Sequence, residues 1–439
     1  MQRAKKVILF LAGALSCLPF AGRAQENTLN SYSPYTFYGI GELHSQGPAF
    51  LRSMGGASVG FRSGYVINYT NPASYSAISR QSFLFNFGME GQNVYEKQNS
   101  SITGKVARSE YNSFNVRDIA VQMPLYRKIG FGVSVTPLSS VGYRAQSIET
   151  DPDIVADLGQ VKYLYEGDGG LTQVKAGVGI EVVKNLSLGA EFIYYWGNIE
   201  RNFETSVYSV TGDGTYNKTS ASDKEVISRV NVGFGLQYNI FNDDNHILTV
   251  GATYQPSMKL RAEMTRLIEG NNVASDTVVF AESRTRLALP DAMTVGVTYQ
   301  RRKYVIGADY TYRNWGDKND YKLSNNAKYI NTNAVNVGGQ YTPNRGDVRK
   351  YLNRISYRIG YKYSDYYVQF GGRKLKEQAI TCGFGLPLKM SGASAIDIGF
   401  EYGVRGTTRD HLVRDTYFKF SVGLSLFGED FWFMKRKYD

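Results

Sequence analysis

Apolar and polar residues alternate along most of the chain after residue 81. The first alternating stretch places Phe83, Phe85 and Phe87 on one side and Asn86 and Glu90 on the other. The same alternation recurs at residues 186–194, 230–238, 396–402 and 418–425. Because successive side chains of a β-strand point to opposite faces, a period of two predicts strands with one apolar and one polar face. The chain is therefore predicted to be all-β, as a two-sheet sandwich or a barrel.

The connections between these strands distinguish a barrel from a sandwich. Every second connection is short, namely residues 127–128, 184–185, 241–245, 301–303, 343–350 and 389–393. The connections between them are mostly longer and polar, namely residues 97–111, 146–169, 207–223, 268–275, 316–330, 365–376 and 403–414. Short periplasmic turns alternate with long extracellular loops in outer-membrane barrels. We therefore predict a transmembrane antiparallel β-barrel of 14 strands.

Two prolines fall inside predicted strands. Residues 276–300 are interpreted as one strand that bends at Pro290, because counting two strands there would give an odd total. Pro137 interrupts the third strand. Proline cannot donate a ladder hydrogen bond, so both positions are predicted strand kinks. The kink at Pro137 is the candidate for a sideways opening of the wall.

The amino-terminal residues resemble an export signal. Arg3, Lys5 and Lys6 precede an apolar run, and small residues follow it, which predicts cleavage after Ala24. Cys17 leaves lipidation as the alternative. The predicted domains are a signal peptide (residues 1–24), an N-terminal hatch that plugs the lumen (25–80), a transmembrane barrel (81–427) and a periplasmic tail (428–439).

Composition offers little for catalysis, metal binding or nucleic-acid binding. The chain has only 3 His, which are far apart, and no Cys/His cluster at ligand spacing. Loss of the four signal-peptide cations lowers the formal charge from +11 to +7, and the remaining cations are scattered. Cys382 is the only cysteine left, so no internal disulfide can form. We expect no enzyme activity, no cofactor and no nucleic-acid partner.

The predicted hatch contains two motifs. Gly55 and Gly56 form a glycine pair in a segment without a sustained period. Asn71, Pro72 and Ala73 come shortly before the first strand. Asn can accept hydrogen bonds from free amides at a helix start, and Pro suits the first helical position. These residues predict a short helix or turn that leads directly into the barrel.

The polar face of the strands carries charges of both signs. Arg229, Arg313, Arg358 and Lys362 could bind the carboxylate of an amphipathic ligand, or could pair with acids across the lumen. The other charged residues assigned to this face are Lys175, Glu181, Glu191, Asp309, Asp397, Glu401 and Lys419. Aromatic residues near strand ends predict an interfacial belt, namely Tyr194, Tyr195, Trp196, Tyr310, Tyr312, Trp315, Tyr361 and Tyr363. Ordinary strand propensity is the alternative explanation for these aromatic residues.

Several motifs in order along the chain resemble the FadL/TodX family of outer-membrane transporters for hydrophobic compounds. They are Leu51–Ala57, Asn71–Ala73, Tyr165–Leu171, the Leu289-Pro290 kink and Trp315 ending the ninth strand. The resemblance implies a 14-stranded barrel with an N-terminal hatch and a gap beside a kinked third strand. It assigns Asn71 to Ala73 to the hatch and Pro137 to the kink.

The resemblance also implies a function and a location. The leading expectation is passive uptake of small hydrophobic or amphipathic, fatty-acid-like compounds by a monomer in the lipid of the cell outer membrane. The tail at residues 431–439 extends past the last strand, unlike many such barrels, and could contact an exported or periplasmic protein or assist assembly. The alternatives are therefore a FadL-like barrel of secretion machinery that binds a partner without transport, and a simple polar porin.

Overall fold

The computed structural model describes residues 33–80, 82–99, 106–208, 216–243, 245–260, 262–270, 273–280, 287–319, 322–324, 326–388 and 393–429. The predicted signal peptide and nearly all of the predicted tail lie outside these residues. Among the described residues, no helix is both long and apolar enough to cross a membrane.

Fourteen antiparallel strands form a closed ring, as predicted. In chain order they are β1 (Ser82–Asn99), β2 (Val106–Tyr126), β3 (Ile129–Ile148), β4 (Gln160–Val183), β5 (Leu186–Tyr208), β6 (Tyr216–Asn242), β7 (His246–Gln255), β8 (Ala292–Arg301), β9 (Tyr304–Arg313), β10 (Thr332–Tyr341), β11 (Ser356–Phe370), β12 (Arg373–Pro387), β13 (Ala395–Gly406) and β14 (Val413–Glu429). Each strand pairs with its neighbours in sequence, and β1 pairs with β14 from Ser82↔Glu429 to Gln98↔Val413 to close the ring.

The interpretation of residues 276–300 as one wall strand is wrong. The wall strand there is β8, which begins at Ala292, after Pro290. Strands Ala262–Gly270 and Val273–Phe280 form a hairpin that extends the sheet beside the upper part of β6, and Ala288–Leu289 pairs with Met258–Lys259. Since this hairpin adds no strand to the ring, the total of 14 still holds.

The remaining short elements lie at strand ends or in the N-terminal segment. The short strands are Glu42–Leu43, Lys322–Ser324 and Ala327–Tyr329. The α-helices are Ala49–Arg52, Pro152–Leu158 and Trp315–Lys318, and the 3-10 turns are Pro34–Phe37, Pro72–Ala77, Tyr351–Arg354 and Arg409–His411. The last predicted barrel residue was 427, whereas β14 ends at Glu429.

The outer face of the barrel is apolar, as the alternation predicts. Phe192, Ile306, Ile359 and Ile380 are between 52% and 65% exposed, whereas alternate residues such as Lys419 are 7% exposed. Side chains that face lipid in a transmembrane barrel are apolar, and those that face the lumen are polar. This face therefore has the character of a membrane-contacting surface.

The aromatic-belt interpretation is wrong for Tyr195 and Trp315 and stays a prediction for the residues that face outward. Tyr194, Tyr310, Tyr312 and Tyr361 are 38–45% exposed on the outer face. Tyr195 and Trp315 are at most 2% exposed and belong to an apolar cluster inside the barrel. Trp315 follows β9 by two residues, in a turn of helix that directs its ring inward. Position near a strand end therefore did not determine which face each ring occupies.

Candidate functional site

Residues 33–80 lie inside the ring and contact strands around it. The turn Pro72–Ala77 packs against β2 to β6, and helix Ala49–Arg52 packs against β12 to β14. Strand Glu42–Leu43 pairs with β3 at Ser139 and Ser140. We use the term septum for residues 49–76 and strap for residues 42–46.

Hydrogen bonds join the septum to opposite parts of the wall. Gly55 N donates to Thr381 Oγ1 at 2.9 Å. The Ser58 and Val59 amides donate to one carboxylate oxygen of Asp309 at 2.6 and 3.0 Å. On the remaining side Gln237 Nε2 donates to Val59 O at 2.9 Å. The septum therefore bridges the bore.

Asn71 and Pro72 have the predicted local roles. Asn71 Oδ1 accepts a hydrogen bond from Ala73 N at 3.0 Å, and Pro72 is the first residue of the 3-10 turn. The amide of Asn71 also donates to Leu236 O of β6 at 3.1 Å, so the cap is attached to the wall. Gly55 and Gly56 have φ of 69° and 83°, a conformation that glycine adopts at little cost.

Inward-facing glycines of the wall provide the space that the septum occupies. A Cβ added to any of them would come within 2.7 Å of a septum atom: Gly130, Gly179, Gly189, Gly235, Gly251, Gly338, Gly360, Gly383, Gly399 and Gly423. They lie on ten different strands, β3 to β7 and β10 to β14. Because glycine allows close approach of another backbone, this ring of glycines fits the wall to the septum.

Buried ion pairs connect the strap to β12, β13 and β14. Arg405 reaches Glu42 at 2.5 Å and Glu377 at 3.2 Å, and Lys419 lies 3.7 Å from Glu42. Arg405 and Glu42 are at most 3% exposed. Removing one partner of a buried pair costs about 3–5 kcal/mol, because the other charge is left buried. The strap is therefore attached electrostatically as well as by strand pairing.

A second group of charges holds the septum helix against β1 and β2. Arg52 lies 2.9 Å from Asp118 and 3.7 Å from Glu90, and Arg117 lies 3.5 Å from Glu90. Arg117 also donates to Ser45 O at 3.2 Å. The motif containing Arg52 was recognised in the sequence, but its carboxylate partners were not.

Burial and neighbouring charges fix the ionisation of the strap. Burial alone raises the pKa of Glu42, but Arg405 and Lys419 outweigh it and hold the pKa well below its usual range. Burial and the nearby Arg117 lower the pKa of His44 well below its usual range. At neutral pH the strap therefore carries an anionic Glu42 and a neutral His44.

A polar cavity of about 280 Å³ lies between the strap, the septum and β3 to β14. Its charged lining residues include Glu42, Lys175, Glu191, Asp309, Arg313, Lys362, Arg405 and Lys419. Hydroxyl side chains of Thr253, Thr294, Thr311 and Thr332 add to this polar lining. Small-molecule sites for apolar compounds are lined mainly by hydrophobic and aromatic side chains. Apolar and aromatic side chains such as Leu43, Leu138, Tyr366 and Tyr367 line the rest of this cavity, so its lining is mixed and not mainly hydrophobic.

Packed aromatic residues close the barrel on the side of the long loops. Trp315 stacks on Tyr367 at 4.5 Å between ring centroids, and Tyr329 lies parallel to Tyr367 at 6.0 Å. Tyr35 and Ile40 of the N-terminal segment belong to the same buried cluster. The polar cavity is therefore enclosed by this cluster on one side and the septum on the other.

The β2–β3 ladder stops partway along the wall. Its last pair is Ile119↔Val135, although β3 continues through Pro137 to Ile148 beside β4. The register of β3 on β4 also shifts at Pro137. A cavity of about 360 Å³ lies there, lined on its apolar side by Val116, Pro137, Leu171 and Trp196, and elsewhere by His44 and polar groups from β1 to β5. We call this the side opening.

The strap separates the side opening from the polar cavity. His44 lines both cavities, and its Nε2 lies 2.6 Å from Ser140 Oγ. Gln46 Nε2 donates to Pro137 O at 3.1 Å, and Gln46 Oε1 accepts from Gln173 Nε2 at 2.8 Å. The strap is therefore hydrogen-bonded to the kinked strand at Pro137 and Ser140.

Two of the four predicted ligand-binding cations form ion pairs within the lumen. Arg358 lies 2.6 Å from Asp397, and Lys362 lies 2.7 Å from Glu401. Arg313 lines the polar cavity, and no ion pair joins it to another described residue. Arg229 likewise has no ion pair within the part of the chain described, and its Nε is buried without a hydrogen bond there. Ligand contact by these four residues stays a prediction.

The prediction of mutual charge pairing is confirmed in part. Lys175 pairs with Glu191 at 3.0 Å, in addition to the two pairs above. Glu181 instead pairs with Lys128 at a turn, and Asp309 accepts septum amides. Pro290 lies outside the ring, immediately before β8, so it does not kink a wall strand. Within the described ranges, no group of three or more His, Cys, Asp or Glu side chains could hold a metal ion.

Solved structures with this architecture include two toluene transporters and a FadL homologue. The toluene transporter TodX of Pseudomonas putida aligns with a TM-score of 0.56 and 17% identity, over 88% of this chain and 99% of that one. TbuX, the toluene transporter of Ralstonia pickettii, aligns with 0.53 and 14%, over 87% and 98%. A FadL homologue of Pseudomonas aeruginosa gives 0.53 and 14%, over 89% and 99%. At these identities the likeness establishes the fold, and it confirms the FadL/TodX resemblance at that level.

Sequence comparison assigns the family. A search of the curated proteins finds no match. The sequence profile of one family, BamG, matches residues 4–439, which is almost the whole chain. The chain therefore belongs to the BamG family, and its barrel has the FadL/TodX-type fold.

Proposed function

We propose that this chain is a closed outer-membrane barrel that binds another protein, and that it does not pass small molecules into the periplasm. The septum carries this proposal, because its backbone and side-chain atoms are fitted against inward glycines of ten strands. Ion pairs at Arg52 and hydrogen bonds at Gly55 and Asp309 would have to break for the bore to open. A barrel closed in this way can hold its surfaces and loops in fixed positions for another protein to bind.

The lining of the bore agrees with this proposal. Above the septum, the cavity presents paired charges and hydroxyl groups, where a hydrocarbon ligand would leave polar groups without partners. A simple porin would instead need a continuous wet path past the septum. These contacts therefore agree better with a closed barrel than with a channel for hydrophobic compounds or a porin.

Affinity purification of the full-length protein tests the proposal. The protein should be cross-linked in intact cells and extracted in mild detergent, and the mass of the native complex should then be measured. We expect a defined heteromeric complex that remains after the extract is diluted. A barrel that always purifies alone, from cells in which it raises uptake of an apolar probe, would contradict the proposal.

A second candidate function is entry of amphipathic compounds through the side opening, with residues 25–80 acting as a hatch. The early end of the β2–β3 ladder and the register shift at Pro137 favour it. On this proposal, a ligand from the outer leaflet enters beside Pro137, displaces the strap and places its polar head near Arg313 or Lys362. The apolar residues at the opening and the charges behind the strap would suit an amphipathic molecule.

Substitution of the kink tests this second function. Pro137→Val should restore a ladder donor and reduce probe uptake, because the opening would narrow. Pro124→Val is the matched control, since Pro124 lies in the paired part of β2, opposite Gly130. Equal uptake by wild type, Pro137→Val and empty-vector cells would exclude side entry.

A further inference from the structure

The connection between β10 and β11 is an ordered surface feature. It spans residues 342–355, is the longest described connection at the end with short turns, and is called the rim loop here. Asp347 accepts hydrogen bonds from the amides of Arg349 and Lys350 at 2.8 and 2.9 Å, and from Asn353 Nδ2 at 2.6 Å. Asn344 N donates to Asn353 O at 2.7 Å. These bonds hold the loop in one shape.

The rim loop presents apolar side chains to solvent. Val348 is 95% exposed and Leu352 is 67% exposed, and Tyr351 beside them is 45% exposed. No described residue covers Val348. An ordered loop that holds such side chains outward lowers the entropy lost on binding, which is the advantage of a preformed anchor. Apolar and tyrosine anchors within a polar rim are typical of protein interfaces.

The surroundings of these anchors are basic. Arg345, Arg349 and Lys350 are exposed on the loop, whereas its acid, Asp347, is turned into the loop backbone. Neighbouring turns at the same end of the barrel add exposed cations at Arg127, Lys128, Lys184, Arg301, Arg302 and Lys303, of which Lys128 pairs with Glu181, and one exposed acid at Asp243. A surface with an excess of one sign favours a partner of the opposite sign and speeds their association.

The position of the rim loop favours a protein, and not lipid, as the partner that contacts its exposed side chains. Tyr304 and Tyr341 stack at 4.9 Å on the outer face at this end of the barrel. Tyrosine girdles mark the boundary between lipid and water in such barrels. The rim loop begins at the residue after Tyr341, so its tip at Val348 extends beyond this boundary.

We infer that the rim loop is a docking site for a periplasmic protein whose surface has an apolar pocket surrounded by acidic residues. Val348 and Leu352 fill the pocket, and Arg345, Arg349 and Lys350 face the acids. This inference rests on the proposed protein-binding function and identifies the surface used.

Site-specific cross-linking in cells tests the docking site. A photoreactive phenylalanine analogue is placed at Val348, at Leu352 or, as the control, at Arg302 in another exposed turn. We expect one protein to cross-link from Val348 and Leu352 and much less from Arg302. Cross-links to lipid alone, or equal yields from all three positions, would overturn the inference.

The captured protein is then identified, purified and titrated against the full-length barrel in detergent. Val348→Ser with Leu352→Ser should weaken binding by about tenfold or more, as loss of an interface anchor does. Arg349→Glu with Lys350→Glu should weaken it similarly and reduce its dependence on salt. The matched control is Arg108→Glu with Lys374→Glu, two exposed cations at the opposite end of the barrel, and equal affinity for all three variants would overturn the inference.

These outcomes separate the docking site from the wider proposal. If a partner co-purifies but the rim-loop variants bind it as wild type does, only the docking site is wrong. If the barrel purifies alone after cross-linking, the protein-binding function is wrong as well. Because the substituted side chains are exposed, heat-dependent mobility in gels should show that every variant folds.

Discussion

Replacing Gly338 by alanine tests the fit between wall and septum. A Cβ at Gly338 would lie 2.0 Å from Met54 O, whereas ordinary contact begins at 3.4 Å. The septum backbone would therefore have to move by about 1.4 Å, since the interior is close-packed. Such a shift adds an overpacking cost of about 1–3 kcal/mol. It also disturbs the hydrogen bond from Gly55 N to Thr381, which is worth about 1 kcal/mol.

The neighbouring Gly339 provides the matched control. A Cβ there would find its nearest described atom at 3.4 Å, so Gly339→Ala should be nearly neutral. We expect Gly338→Ala to lower the free energy of unfolding in detergent micelles by about 2–3 kcal/mol relative to Gly339→Ala, measured by urea titration of the heat-modifiable form. Equal midpoints for the two variants would refute the reasoning that the glycine ring is fitted to the septum.

Two further predictions concern the strap, residues 42–46. In the folded barrel His44 is held neutral, whereas in a released strap it would bind a proton below its unfolded pKa of about 6.5. Protonation therefore favours the released strap. The stability that the attached strap has at neutral pH is lost as the pH falls. Protease cleavage within the strap should therefore rise between pH 7.5 and 5.5, and a His44→Gln variant whose cleavage rises equally would contradict this. Arg405→Met should destabilise the barrel by about 3–5 kcal/mol because it leaves Glu42 buried with only the more distant Lys419 as a partner. The double variant with Glu42→Gln should recover most of that loss, and no recovery in urea titrations would count against the pair.

Local signals in the sequence were sufficient to predict the wall strands, the cap at Asn71 and the kink at Pro137. Alternation with a period of two fixes which side chains face outward, so the ring of 14 strands was predictable. The roles of Asn71 and Pro72 follow from their own side chains. Asn71 accepts a hydrogen bond as the cap, and Pro72 begins the turn because it has no amide donor to lose. Pro137 interrupts a ladder for the same local reason.

Features that depend on distant residues were not predictable from pattern. The hairpin at residues 262–280 has strand periodicity, but only its pairing with β6 shows that it lies outside the ring. The alternation places lumen glycines such as Gly189 and Gly235 on the polar face of their strands. No local sequence signal showed that the septum packs on them. The pairing of Arg405 with Glu42 joins residues 363 positions apart, and its specificity comes from the register of strands on the N-terminal segment.

A disulfide between septum and wall tests the closed barrel most directly. The Cβ of Ser53 lies 3.8 Å from the Cβ position of Gly399, which suits a disulfide, whereas 2.7 Å at Gly383 is too short. Ser53→Cys with Gly399→Cys, in a Cys382→Ser background, is compared with wild type and empty-vector cells for uptake of an apolar probe. The closed barrel predicts uptake at the vector level for all, oxidised or reduced. Uptake above the vector level that falls when the disulfide forms would show that the septum moves and that the barrel is a channel.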